Sequence, residues 1–190
     1  MSKKIMFNDK YRLTQAVLEG RKTQTRRIVK DVDLLQCLNE LEDDGVLKCI
    51  KGDIVAQGQG RFEIGEIVAI AQAYKDIGSI CFEAWQMDED WFKKGFDNKM
   101  FVKAELMPHH VRITDVRIER LQDISDEDCI AEGIYRRDAK LKEVVTYTFP
   151  NSTQNWLTPK KAYSTLINKI SGKGTWEANP FVFVYEFERM

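Results

Sequence analysis

The sequence contains no apolar run approaching the roughly 18 residues that a bilayer-crossing helix needs, so no membrane span is expected. Its first residues, Met1-Ser2-Lys3-Lys4-Ile5-Met6-Phe7, carry two lysines but neither an apolar secretory core nor a small-residue cleavage site. The expected location is therefore the cytoplasm. Cysteine is scarce and scattered: Cys37, Cys49, Cys81 and Cys129 include no close pair. A zinc ribbon or a thiol redox site needs two thiols a few residues apart, so neither is expected, and the four read as small buried apolar residues. Histidine occurs only as His109-His110. That pair lacks further ligands at suitable spacing, so no metal or other cofactor is expected, and a catalytic cysteine is disfavoured for want of a partner. Internal repeats and low-complexity tracts are absent. So is a large net charge: the total of −1 argues against wholesale binding to a duplex backbone.

What remains is ordinary globular material, 190 residues with 43% hydrophobic and 31% charged side chains, expected to form one domain over residues 1–190. A chain of this size buries well over half of its unfolded surface and needs no metal or disulfide to fold. Its charge is uneven. Residues 1–30 carry nine Lys/Arg against Asp9 and Glu19, a local +7 that leaves −8 for the rest. A basic end on an acidic body reads either as a solvated face or as a local anion site.

Periodicity predicts a first helix over residues 9–19, capped by Asn8 or Asp9 and ended by Gly20. Residues 23–29 read as a strand, and residues 30–62 as an irregular stretch with a short helix near 34–41. Gly58-Gln59-Gly60 lacks the third glycine and the strong preceding strand of a phosphate loop. Further strands are expected at 67–71, 99–106 and 111–121, the last with a bulge where Val111 and Ile113 pass out of phase with Val116 and Ile118. Ser125-Asp126-Glu127-Asp128 is a capping box opening a helix that Gly133 closes. Thr158 caps another helix with Pro159 at its first position. The near-continuous apolar run at 181–187 should be an interior strand. Insertions fall at about 31–63, 76–98 and 135–157. Five or six strands with about three helices, in no βαβ rhythm, predict an α+β fold built on a small mixed barrel.

Three features could carry chemistry. The first is the segment Gly20-Arg21-Lys22-Thr23-Gln24-Thr25-Arg26-Arg27. Arg21 and Lys22 suit a helix C-terminus for electrostatic reasons alone. Adjacent Arg26 and Arg27 in a strand point to opposite faces, so one should be inward, and a buried guanidinium needs a carboxylate or phosphate. The second is Glu132, an anion at a helix C-terminus just before Gly133, either facing solvent or facing the basic segment. The third is the hydroxyl pair Thr23 and Thr25, able to bind a base edge, a phosphate or a carbonyl.

The spacing Gly20-x-Lys22-x-x-x-x-Arg27 resembles the signature of ASCH-domain proteins (activating-signal-cointegrator homology), and the likeness extends to several other pieces. These are the preceding helix, Gly65-Glu66 before a strand, Leu121-Gln122-Asp123-Ile124 leading through the capping box to Glu132-Gly133, and the last strand after Pro180. The resemblance implies a PUA-like barrel and a cleft that binds RNA, nucleotides or a modified nucleoside, with Gly20, Arg21, Thr23, Arg26 and Arg27 at the ligand. It also implies an alternative, an amidohydrolase deacylating N4-acetylcytidine-type nucleosides. There Lys22 would act as nucleophile or base, Thr25 would position or activate it, and Glu132 would shuttle the proton to the leaving amine. Some members are ribonucleases, in which Lys22 and Arg27 would hold and polarise a phosphate. A third reading is a protein-interaction module whose exposed aromatics recruit a partner; Phe82, Trp85, Trp91 and Phe92 are expected to cover the barrel rather than stack bases. Strict strand alternation would set Lys22 and Thr25 on opposite faces; they converge only if Lys22 still lies in the turn after the helix, or if a bulge intervenes.

Overall fold

The computed structural model describes residues 3–42, 60–77, 89–138 and 145–190. It is a mixed α+β structure. Among the described residues there are seven strands, β1 Lys4–Ile5, β2 Gln24–Ile28, β3 Ile67–Ile70, β4 His110–Arg120, β5 Tyr135–Asp138, β6 Val145–Thr148 and β7 Phe181–Arg189. The α-helices are α1 Leu13–Leu18, α2 Val32–Glu42, α3 Glu89–Asp97, α4 Asp126–Ala131, α5 Pro159–Ser171 and α6 Thr175–Ala178. Five strands form one sheet in the order β1-β3-β4-β7-β2, and β5 pairs with β6 in a separate hairpin. All pairings are antiparallel except β1 with β3. Among the described residues the larger sheet closes into no barrel.

The apolar run at 181–187 becomes the interior strand β7, hydrogen-bonded to β4 on one side and β2 on the other. Burial on both faces explains why its residues lack alternation. The expected bulge lies in β4. Ile113 pairs with Phe187 and Asp115 with Glu186, leaving Thr114 extra, so Val111 and Ile113 before it and Val116 and Ile118 after it all face the core. Ser125 Oγ accepts from the Asp128 amide and Thr158 Oγ1 from the Lys161 amide, so α4 and α5 start where the caps placed them. The core lies between the sheet and the helices, from Leu13 and Val17 on α1 through Leu34 and Leu38 on α2 to Tyr163, Leu166 and Ile167 on α5.

Three expectations change. Residues 9–19 are not one helix: a short 3-10 turn at Asp9–Tyr11 ends at Arg12, whose φ of 50° is left-handed, and α1 starts afresh at Leu13. The Asp9 carboxylate does not cap the backbone, because it instead takes hydrogen bonds from the Thr14 hydroxyl and the buried Lys99 ammonium. Residues 99–106 form no strand but two 3-10 turns, Lys99–Phe101 and Ala104–Leu106. The cause is local and tertiary: Asn98 accepts from the Met100 amide, and the Lys4 ammonium donates to the carbonyls of Lys99, Met100 and Val102, which a sheet neighbour would otherwise need. The insertion expected at about 135–157 carries the β5–β6 hairpin. Finally, Cys129 is buried but Cys37 is exposed on α2. The remaining thiols, the aromatics Phe82 and Trp85, the side chains of Trp91 and Phe92, and Gly58 and Gln59 lie outside the described residues. No helix among the described residues is long and apolar enough to cross a membrane.

Candidate functional site

The chain turns sharply after α1. Gly20 takes a φ of +72°, and the amides of both Arg21 and Lys22 donate to the Ala16 carbonyl, at 2.9 and 3.0 Å. Lys22 therefore still belongs to the helix end. The Thr23 amide then donates to Ala131 O at 3.0 Å, tying the start of β2 to the end of α4. This geometry removes the parity conflict: because Lys22 precedes the strand, it and Thr25 line the same cleft. That cleft has a volume of about 730 Å³ and is walled by residues of β2, α5 and β7.

Lys22 is 2% exposed and Glu132 5%. The Lys22 amine lies 2.5 Å from Glu132 Oε2 and also donates to the carbonyls of Gln24 (2.7 Å) and Glu132 (2.8 Å). The approach depends on Gly133, whose φ is +106° and whose absent Cβ would stand 3.2 Å from Leu13 Cδ2 and 3.8 Å from Lys22 Cδ. Burial lowers the Lys22 pKa, an effect that the Glu132 carboxylate opposes but does not cancel. The amine is thus easier to deprotonate than a free lysine, and its proton acceptor is in contact with it.

Arg26 is the inward arginine, its side chain fully buried. Its guanidinium donates to Glu119 Oε1 (2.6 and 2.9 Å), Asp128 Oδ2 (2.6 Å), Gln24 Oε1 (2.7 Å) and Glu132 Oε1 (3.3 Å). Burial alone would lower its pKa; the Glu132 and Glu119 carboxylates outweigh that and raise it, so Arg26 is a fixed cation. Arg117 bridges onto the same Asp128 oxygen at 3.0 Å and onto Glu186. Glu132 is therefore gripped through both oxygens, one by Lys22 and one by Arg26. Tyr163, buried on α5, completes the wall; burial and the nearby Glu132 charge raise its pKa well above that of a free phenol, so it stays neutral.

Of the residues expected at the site, Lys22, Thr25, Arg26, Arg27 and Glu132 line the cleft. Gly20, Arg21 and Thr23 do not: all three are exposed at the turn, and Arg21 pairs with Glu19 at 2.5 Å. Gln24, Glu119, Asp128 and Tyr163 were missed. Asp128 was visible only as a helix cap and Tyr163 only as a core residue, while Glu119 shares the polar face of β4 with Arg117, a pattern that names no partner. Among the described residues no group of three or more His, Cys, Asp or Glu side chains could hold a metal ion. No family model, curated protein or solved structure matches the chain.

Proposed function

We propose that this protein hydrolyses an N-acyl bond on a nucleoside-sized substrate of the N4-acetylcytidine type, with Lys22 as general base, Thr25 positioning the attacking water and Glu132 relaying the proton. The observation that carries this reading is the buried contact of 2.5 Å between the Lys22 amine and the Glu132 carboxylate, in a cleft that Thr25 also lines. In its neutral form Lys22 takes a proton from water as the water oxygen bonds to the acyl carbon. The ammonium so formed is held by Glu132, which passes the proton to the nitrogen as its bond to the acyl carbon breaks. The products are a carboxylic acid and the free exocyclic amine, with no proton or electron left over.

The likeness to ASCH domains and their PUA-like barrel belongs to the same proposal. It is supported by the way the turn at Gly20–Lys22, the helix ending in Glu132-Gly133 and the last strand β7 meet around one cleft. Binding of RNA or a nucleoside without turnover is the second reading. It ranks lower because the cations that suggested an anion site are largely engaged: Arg21 with Glu19, and Arg26 with Glu119, Asp128 and Glu132.

The test is incubation with N4-acetylcytidine and chromatographic detection of cytidine. Lys22→Met should lower kcat by about 100-fold or more, the scale of a lost general base. Cytidine absent from the wild-type reaction, with the substrate shown to bind, would leave only the binding module.

A further inference from the structure

The cleft has a second chemical zone that the reaction above does not use. Arg27, Arg61 and Lys30 all line it, beside Phe183 and Tyr185 of β7. Among the described residues none of these three cations forms an ion pair. That sets them apart from Arg21, Arg26, Arg112 and Arg117, each of which has at least one carboxylate partner. Arg27 is half-buried; it donates to the Met6 carbonyl and its guanidinium lies 6.0 Å from the Phe7 ring centre. Burial lowers its pKa; Glu132 opposes this and Arg61 adds to it, so two of the three cations repel one another across the cleft. Arg61 is exposed, 5.5 Å from the Phe62 ring centre, and its backbone amide is fixed at 2.8 Å to the Tyr185 hydroxyl. Asp31 stands at the same rim, but its carboxylate accepts from the Leu34 amide at 3.0 Å and caps α2.

The lysines and arginines lining the cleft outnumber its two lining carboxylates, Asp31 and Glu132, and like charges in excess are costly unless an anion joins them. Guanidinium groups match phosphate oxygens in geometry as well as charge, and aromatic walls beside them suit a stacked base. A volume of about 730 Å³ falls within the roughly 300–1,000 Å³ of small-molecule sites. We infer that Arg27, Arg61 and Lys30 form a phosphate subsite, so that the preferred ligand is a mononucleotide carrying a terminal phosphate rather than a free nucleoside. This inference rests on the proposed hydrolase reading for the acyl end of the ligand but not for the phosphate end.

Calorimetric titration with cytidine and with cytidine 5′-monophosphate tests it without any need for turnover. The monophosphate should bind about tenfold more tightly, a preference that shrinks to near unity in Arg61→Ala and Lys30→Ala and weakens as salt rises. In the hydrolysis assay, the ratio of kcat/KM for N4-acetylcytidine 5′-monophosphate over N4-acetylcytidine should fall by the same factor in Arg61→Ala. Equal affinity for cytidine and its monophosphate in the wild type overturns the subsite, whether or not hydrolysis occurs. A clear monophosphate preference with no hydrolysis upholds the subsite and removes the hydrolase. Tighter binding of a short RNA than of the monophosphate overturns the assignment to a mononucleotide.

Discussion

Lys22 is buried in a state that costs stability and that the proposed reaction would use. A buried lysine whose pKa is lowered binds fewer protons folded than unfolded. Its presence therefore makes stability rise with pH between its folded value and the ordinary value near 10.5. Lys22→Met should lose that rise and show a flatter stability profile in that window, measurable by urea titration at several alkaline pH values. Near neutrality the substitution removes one partner of a buried pair and should cost about 3–5 kcal/mol, whereas replacing Lys22 and Glu132 together by apolar residues should recover part of that loss. In the proposed reaction the working form of Lys22 is the neutral amine, so kcat/KM should rise with pH and level off below the pKa of a free lysine. Glu132 favours the ammonium, so Glu132→Gln should move that rising limb to lower pH while reducing the plateau. An unmoved limb would show that Lys22 is not the titrating base.

At the scale of elements, the site depends on how α1, β2 and α4 end against one another. Gly133 is the critical joint, because its left-handed φ strains any other residue and a Cβ there would stand 3.2 Å from Leu13 Cδ2, closer than ordinary contact. Gly133→Ala should cost about 1–3 kcal/mol from backbone strain and should lower activity as well, since the displaced end of α4 carries Glu132 away from Lys22. Ser125→Ala acts at the other end of α4. Losing the hydrogen bond to the Asp128 amide should cost about 1 kcal/mol, seen as a drop of a few degrees in Tm. The two variants separate a helix that merely loses stability from one that also loses its aim.

For the whole molecule, β7 is the organising strand, bonded along both edges within the five-stranded sheet, while among the described residues β5 pairs only with β6, and β6 adds a single bridge from Tyr147 to Trp156. Amide exchange should accordingly be slowest in β7 and the facing part of β4, and much faster in the hairpin at Tyr135–Asp138 and Val145–Thr148. Equal protection in the two places would contradict this hierarchy. The strongest local signals in the sequence pointed to the same elements: the apolar run of β7, the phase slip of β4, the Ser125 and Thr158 caps and the turn at Gly20. Weaker ones misled. Residues 99–106 have strand-like composition, yet the ammonium of Lys4, far away in sequence, gathers their carbonyls into turns.

The sequence alone determined which residues could act: a lysine and a threonine beside a helix end, two adjacent arginines of which one must be inward, and a glutamate set against its own helix dipole. The inward arginine and the opposed glutamate follow from short-range rules of strand parity, capping and charge, whereas the lysine and the threonine gain a role only through the resemblance to ASCH domains. Only the tertiary structure decided what these groups do to one another. Lys22 meets Glu132 across 110 positions, and Arg26 takes Glu119, Asp128 and Glu132 as its partners, while Arg27 is left without a carboxylate among the described residues. Ion pairing over such separations depends on where strands and helix ends are brought together, a property of sheet order and chain reversal that local spacing does not encode. In water these charges would be interchangeable surface groups; burial in one cleft gives one a lowered pKa beside a carboxylate, fixes one as a permanent cation and leaves one on a backbone carbonyl.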